Sequence, residues 1–189
     1  MRGAGELIGR SARELAGWVS AESLTERSIG FATLNALLQV DESRCREVNA
    51  EELILARGAG KHIAIVGHFP FTEKARAVAG KLSVLELNPL AGDLPATAAP
   101  EVIPQADVVA ITGMTLVNGT FEALAALPRP GAFTLLLGAT TPLTSLLFDY
   151  GIDAISGTVI YDIRQASAAV SQGANFRQIR GKRLLTMLR

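Results

Sequence analysis

The sequence holds a single cysteine, Cys45, two histidines, and no excess of either charge, with 18 Lys and Arg against 18 Asp and Glu. One cysteine excludes an intramolecular disulfide and a thiolate metal cage built within one chain. Balanced charge leaves no overall field to gather nucleic acid or an anionic membrane. Aromatic residues are only 5% of the chain, so Ala, Leu, Ile and Val must do most of the packing, as in parallel sheets covered by helices. No apolar run approaches the roughly 20 residues of a transmembrane helix, and no signal-like stretch follows Met1-Arg2-Gly3. The expectation is a cytoplasmic protein that engages neither nucleic acid nor membrane.

What is present is a change of rhythm along 189 residues, 49% of them hydrophobic. Residues 1–58 read as a helical segment. Leu7, Ile8, Leu15 and Trp18 share one helical face over 6–18. Ser23 and Glu26 have the spacing of a capping box, opening a helix through Ile29, Leu34 and Leu37. Residues 59–189 alternate differently. Short apolar runs at 62–66, 82–87, 107–112, 133–137 and 154–156 read as strands. Helical stretches fall at 71–80, 117–127, 143–150 and 163–172. Strands alternating with helices, and apolar nearly throughout, mean an α/β fold: a Rossmann-like, doubly wound, mostly parallel sheet with flanking helices. The four prolines in 88–104 mark a loop without a regular helix. The basic segment 176–189 reads as a solvated terminal face.

In open parallel sheets the ligand crevice lies beyond the carboxyl ends of the strands. Those ends carry small and polar residues: Gly67, His68 and Phe69 after the first strand, Glu86 and Asn88 after the second. Thr112, Gly113, Thr115, Asn118 and Thr120 follow the third, and Thr141 the fourth. Each also has a structural explanation; Thr141-Pro142, for example, is an ordinary helix start. Their convergence on one edge points to a ligand pocket. Gly58-Ala59-Gly60-Lys61 precedes its strand and lacks the Ser or Thr of a P-loop, and the turn at Gly67 is not GxGxxG. Glu86 nevertheless stands 19 residues after Gly67, where a dinucleotide or adenosyl ligand presents its ribose hydroxyls.

His62 and His68 cannot share a metal ion, because six extended residues separate them by roughly 20 Å. His62, at the wrong end of its strand, reads as structural. His68 is the candidate metal ligand, with Glu86 or Asp93 as partner. No serine sits on a nucleophile elbow. Arg44 and Arg46 flank Cys45 and would lower its thiol pKa, but no base lies nearby in sequence, so a surface loop cysteine is the better reading.

Several of these strings together resemble a known family. Ser28-Ile29-Gly30-Phe31-Ala32-Thr33-Leu34-Asn35, Gly67-His68-Phe69-Pro70, Glu86-Leu87-Asn88-Pro89, residues 112–120 and Gly157-Thr158 look like the "putative heavy-metal chelation" family of unknown function. The resemblance covers about 6–173. It implies a Rossmann-like C-terminal domain, preceded in longer members by a domain like the N-terminal domain of enolase, with a ligand site between the two. The β-containing part of that first domain has no counterpart in 1–58.

Three functions are open at this point. The first is a protein binding a small polar ligand, with heavy-metal chelation as the family's implication and a divalent transition metal as one cofactor class. The second is a transferase-like enzyme using a nucleotide or adenosyl cosubstrate. The third is a non-catalytic interaction protein with a vestigial pocket. The apolar residues of the N-terminal helices, Trp18 among them, are expected to join two copies into a homodimer.

Overall fold

The computed structural model describes residues Met1–Arg189. One sheet of eight strands organises it, in the order β1-β8-β7-β6-β5-β2-β3-β4. These are β1 Cys45–Arg46, β2 His62–Val66, β3 Lys81–Glu86, β4 Leu94–Pro95, β5 Val108–Thr112, β6 Phe133–Leu137, β7 Ala154–Ile160 and β8 Lys182–Leu188. The strands from β2 to β7 pair in parallel. β8 runs antiparallel to β7, and β1 antiparallel to β8. The chain builds outward from β2 through β3 to β4, then returns to the other side of β2 and builds outward again through β5, β6 and β7. The order therefore reverses between β2 and β5, which places a crevice at their carboxyl ends.

The apolar strands are buried on both faces because side chains alternate across a strand. Ile63 and Ile65 of β2 join Val108, Ala110, Leu135 and Leu137 on one face. That face is covered by α3 Ala50–Gly58, through Ile54, and by α4 Thr72–Val78, through Ala75. Ala64 and Val66 join Val109, Ile111, Leu136 and Ile155 on the other face. There Ile103, Phe121 and Phe148 close the layer, with Phe121 supplied by α7 Phe121–Ala125.

The N-terminal segment departs from the periodicity in 6–18. Only α1 Ala12–Ala16 is α-helical, capped by the Ser11 hydroxyl accepting from the Glu14 amide at 3.2 Å, and a 3-10 turn, Gly17–Ser20, follows. Ile8 is fully exposed, whereas Trp18 is only 6% exposed. Arg2 and Arg10 lie over the indole at 5.2 and 5.9 Å, so Trp18 is enclosed within its own chain. The capping box at Ser23 does not form. Glu26 is buried and turns to Arg2, accepting from its amide at 2.6 Å and from Nε at 3.0 Å, a charge-assisted pairing that outcompetes a neutral cap. α2, Leu24–Leu37, then lies hard against the 3-10 turn, since a Cβ on Gly30 would stand 2.4 Å from the Val19 nitrogen.

Four other expectations change. The stretch 88–104 contains β4 and the short α5 Ala99–Val102, because Pro100 sits in the first turn of α5, where a missing N–H costs nothing. Thr141-Pro142 opens no helix; the next turn is 3-10, Ser145–Tyr150, with the Thr144 hydroxyl at its start. The helix over 117–127 divides into α6 Met114–Asn118 and α7 at Gly119, whose φ of 80° ends α6 in a left-handed residue. Finally, 176–189 is not simply a solvated face, since β8 buries Leu185 and Met187 beneath the sheet's antiparallel edge. α8 Ile163–Ser171 links β7 towards β8.

Candidate functional site

The crevice between β2 and β5 is a cavity of about 820 Å³. Its floor forms where Gly67 leaves β2 at φ 101°, with the position of a Cβ only 3.1 Å from Thr112 of β5. A side chain there would be strained and crowded, so glycine lets the two strand exits approach. On the β5 side, the Thr115 hydroxyl donates to the Thr112 carbonyl at 2.7 Å. Asn118 Oδ1 accepts from both the amide and the hydroxyl of Thr120, at 3.1 and 2.7 Å. The turn around Gly119 is thereby fixed, and the Asn118 amide nitrogen keeps its two donors for other use.

His68 lines the cavity beside Glu86 at the end of β3. Its Nδ1 is 3.3 Å from Asp93 Oδ2, and the same oxygen accepts from the Leu90 amide at 3.1 Å. Asp93 is thus held by the loop after β3, with its side chain only 2% exposed. Glu86 Oε2 accepts from the Leu87 amide at 2.9 Å. No Lys or Arg contributes to the cavity wall.

Seven residues singled out in the sequence meet here: Gly67, His68, Glu86, Thr112, Thr115, Asn118 and Thr120. Four do not. Phe69 turns to the opposite side, stacking on Phe71 at 5.2 Å and lining a second, smaller cavity of about 160 Å³. Asn88 is exposed on the loop. Gly113 packs where its Cβ would be 2.4 Å from Thr141 Oγ1, and Thr141 is 2% exposed with that hydroxyl unpartnered. Sequence reasoning missed the apolar wall: Leu87, Ala96, Pro100, Met114, Leu124 and Leu127 also face the space. It also missed α2. Arg27 Nη1 donates to the Val117 carbonyl at 3.1 Å, and Asn35 Nδ2 to the Thr140 carbonyl at 3.1 Å. These contacts span 90 and 105 residues, and no local pattern announces them.

His62 is structural, with Nδ1 3.1 Å from the Gln105 carbonyl and Nε2 3.0 Å from the Ser83 hydroxyl. The Cys45 thiol is pushed above its ordinary range by burial, reinforced by Asp41 and Glu42, so Arg44 does not activate it. A resident metal centre does not fit the donor set: protein-bound transition metals take three or four side-chain ligands, and no three His, Cys, Asp or Glu side chains converge. No helix is long and apolar enough to cross a membrane.

The chain has recognisable relatives. It is 28% identical over 166 residues to an uncharacterized protein of Methanocaldococcus jannaschii, the match covering 84% of this chain. The chain spans only 64% of that protein's length. A crystal structure of a protein of unknown function from Desulfitobacterium hafniense superposes with a TM-score of 0.81 at 28% identity, over 97% of this chain and 76% of that one. Another, from Pyrococcus horikoshii, superposes with a TM-score of 0.84 at 19% identity, over 95% and 76%, and shows the shared fold. Two family models with one description match in turn, the first over residues 1–38, which hold α1 and α2, the second over 49–189, which hold α3 and nearly all of the sheet. By the span and order of these matches, the chain belongs to the family described as "Putative heavy-metal chelation".

Proposed function

We propose that the cavity between β2, β3 and β5 binds a small, unphosphorylated ligand with a ring-sized apolar body and hydroxyl groups, of the nucleoside or adenosyl type. The observation that carries this reading is the cavity wall: Glu86 stands at the end of β3, Leu87, Met114, Leu124 and Leu127 supply apolar surface beside the threonine hydroxyls and the Asn118 amide, and no Lys or Arg is present. In doubly wound sheets an acidic residue at that strand end takes ribose hydroxyls. Phosphate instead calls for a glycine-rich turn with free amides, or for Arg and Lys. Here the turn after β2 is filled by Pro70 and Phe71, and the Phe69 amide is directed to the Thr72 hydroxyl at 3.3 Å. A neutral or cationic ligand suits this wall; a nucleotide's phosphates do not.

Thermal scans with adenosine, S-adenosylmethionine, ATP and NAD test the reading. The first two should raise Tm, the last two should do so less, and Glu86→Ala should remove the effect. A ligand at 100 times its Kd adds about 2.7 kcal/mol, which such a scan resolves. No shift with any of the four would leave the cavity without its proposed ligand class and favour an interaction protein. A shift surviving Glu86→Ala would keep the ligand and reject the residue.

A second reading concerns a metal carried in by the ligand. His68 offers one ring nitrogen at the cavity, and its Nδ1 contact with a buried carboxylate is the arrangement that orients metal-binding imidazoles. The protein then completes the shell of a chelate, the metal being cargo.

A further inference from the structure

His68 and Asp93 form a pair whose geometry reaches beyond ligand retention. Asp93 has no Lys or Arg partner; its contacts are the Leu90 amide and the His68 ring, both at Oδ2. A buried carboxylate can only accept hydrogen bonds, so Nδ1 of His68 must carry the proton between them. In the neutral ring the lone pair then lies on the other nitrogen, Nε2. It has no hydrogen-bond partner in the protein, and the side chain is 40% exposed where it lines the cavity. The second histidine has both ring nitrogens engaged, at Gln105 and Ser83, so the protein contains a single imidazole with a free, oriented acceptor.

We propose that His68 is a general base, with Asp93 as its positioning residue, acting on the ligand of the switch-point cavity. The proton passes from a hydroxyl, thiol or comparably acidic group of the ligand to Nε2. The bond broken is the ligand's O–H or S–H, the bond formed is Nε2–H, and the electron pair stays on the ligand as an activated nucleophile. The resulting imidazolium faces the Asp93 carboxylate through Nδ1, the role a buried carboxylate plays beside histidine in hydrolase triads. Asn118, with its amide donors unspent, stands across the cavity wall to hold an oxygen of the same ligand. The ligand class is thus one carrying an ionisable hydroxyl or thiol. The acid–base role rests on the cavity being the ligand site, but the state of the ring does not depend on which ligand enters.

With only two histidines, long-range nitrogen-15 NMR of the full chain reads each ring directly. His68 should appear as the Nδ1–H tautomer in the wild type and shift towards Nε2–H in Asp93→Ala. Asp93→Ser, which keeps an oxygen near the Leu90 amide but is too short to reach the ring, should do the same while preserving the loop. Acylation by diethylpyrocarbonate, followed by peptide mass spectrometry, should modify His68 and spare His62, and should slow several-fold in both Asp93 variants. An Nε2–H tautomer in the wild type would overturn the proposal, and so would equal acylation rates in wild type and Asp93→Ser. Adenosine should protect His68 from acylation; if protection fails while the tautomer and reactivity results hold, the ligand assignment falls and the oriented base stands.

Discussion

Arg27 Nη1 on α2 donates to the carbonyl of Val117, in the last turn of α6. The guanidinium meets a carbonyl-rich helix end, where positive charge is favoured, and the position of a Cβ on Gly119 lies 3.0 Å from the same nitrogen. The N-terminal segment thereby holds one wall of the cavity from outside, since Asn118, Gly119 and Thr120 all line it. Arg27→Met should lower stability by about 1.5–3 kcal/mol, the range for hydrogen bonds made by charged groups. It should also weaken any ligand-induced rise in Tm. Urea unfolding with and without ligand measures both, and an unchanged midpoint would detach α2 from the site.

Trp18 anchors that segment. Buried beneath Arg2 and Arg10, it should cost about 3–5 kcal/mol when replaced by Ala. Because the indole lies inside the chain, Trp18→Ala should unfold the N-terminal segment without changing the mass seen by light scattering at a given concentration. A loss of association with full stability retained would move Trp18 to a subunit interface.

Acid sensitivity should centre on Asp107. Its Oδ2 accepts the His62 amide at 2.9 Å and its Oδ1 accepts from Arg129 at 2.6 Å. The His62 hydrogen bond, the largest influence, holds the carboxyl below its ordinary value against the opposing effect of burial, and the hydrogen bond and charge of Arg129 add to the lowering. A carboxylate depressed on folding contributes stability that is complete above the unfolded-state pKa and is lost as pH falls through the folded-state value. The stability gap between wild type and Asp107→Asn should therefore persist from neutral pH down to about 5 and narrow below the usual carboxylate range. Urea titrations at a series of pH values check this; a gap that widens on acidification would reverse the assignment.

For metal, zinc, nickel or cobalt added alone should bind weakly and below one equivalent, because His68 is a single donor without two others nearby. His68→Ala should abolish what binding there is. Metal analysis of untagged protein decides it, and stoichiometric metal in the variant would place a site elsewhere.

The parallel strands were legible because burial on both faces leaves a nearly unbroken apolar run, as in Ile63-Ala64-Ile65-Val66. β8 was not, since Lys182 and Arg183 open it and it covers an edge, burying only part of its length. The cavity's polar rim could be located from the strand ends alone. Thr141 misled because a hydroxyl at a strand exit can point inward as readily as outward, and only the close approach of Gly113 decides which. Arg27 carried no signal at all; its partner is 90 residues away, and an arginine on a helix reads as solvated.

The sheet's outer strands are stubs. β4 is two residues long and ends in Pro95, which has no N–H to offer a newcomer; β1 is also two residues long and meets β8 only at Thr186 and Met187. Along the stretch of β8 that β1 leaves open stands Arg183, paired with Glu42 and Glu47. Short edges, an edge proline and a charged side chain are the devices by which β-proteins refuse to extend their sheets into other molecules. Both edges of the sheet are accordingly poor templates for strand addition, and Arg183→Val would strip the charge from the stretch of β8 that β1 leaves open.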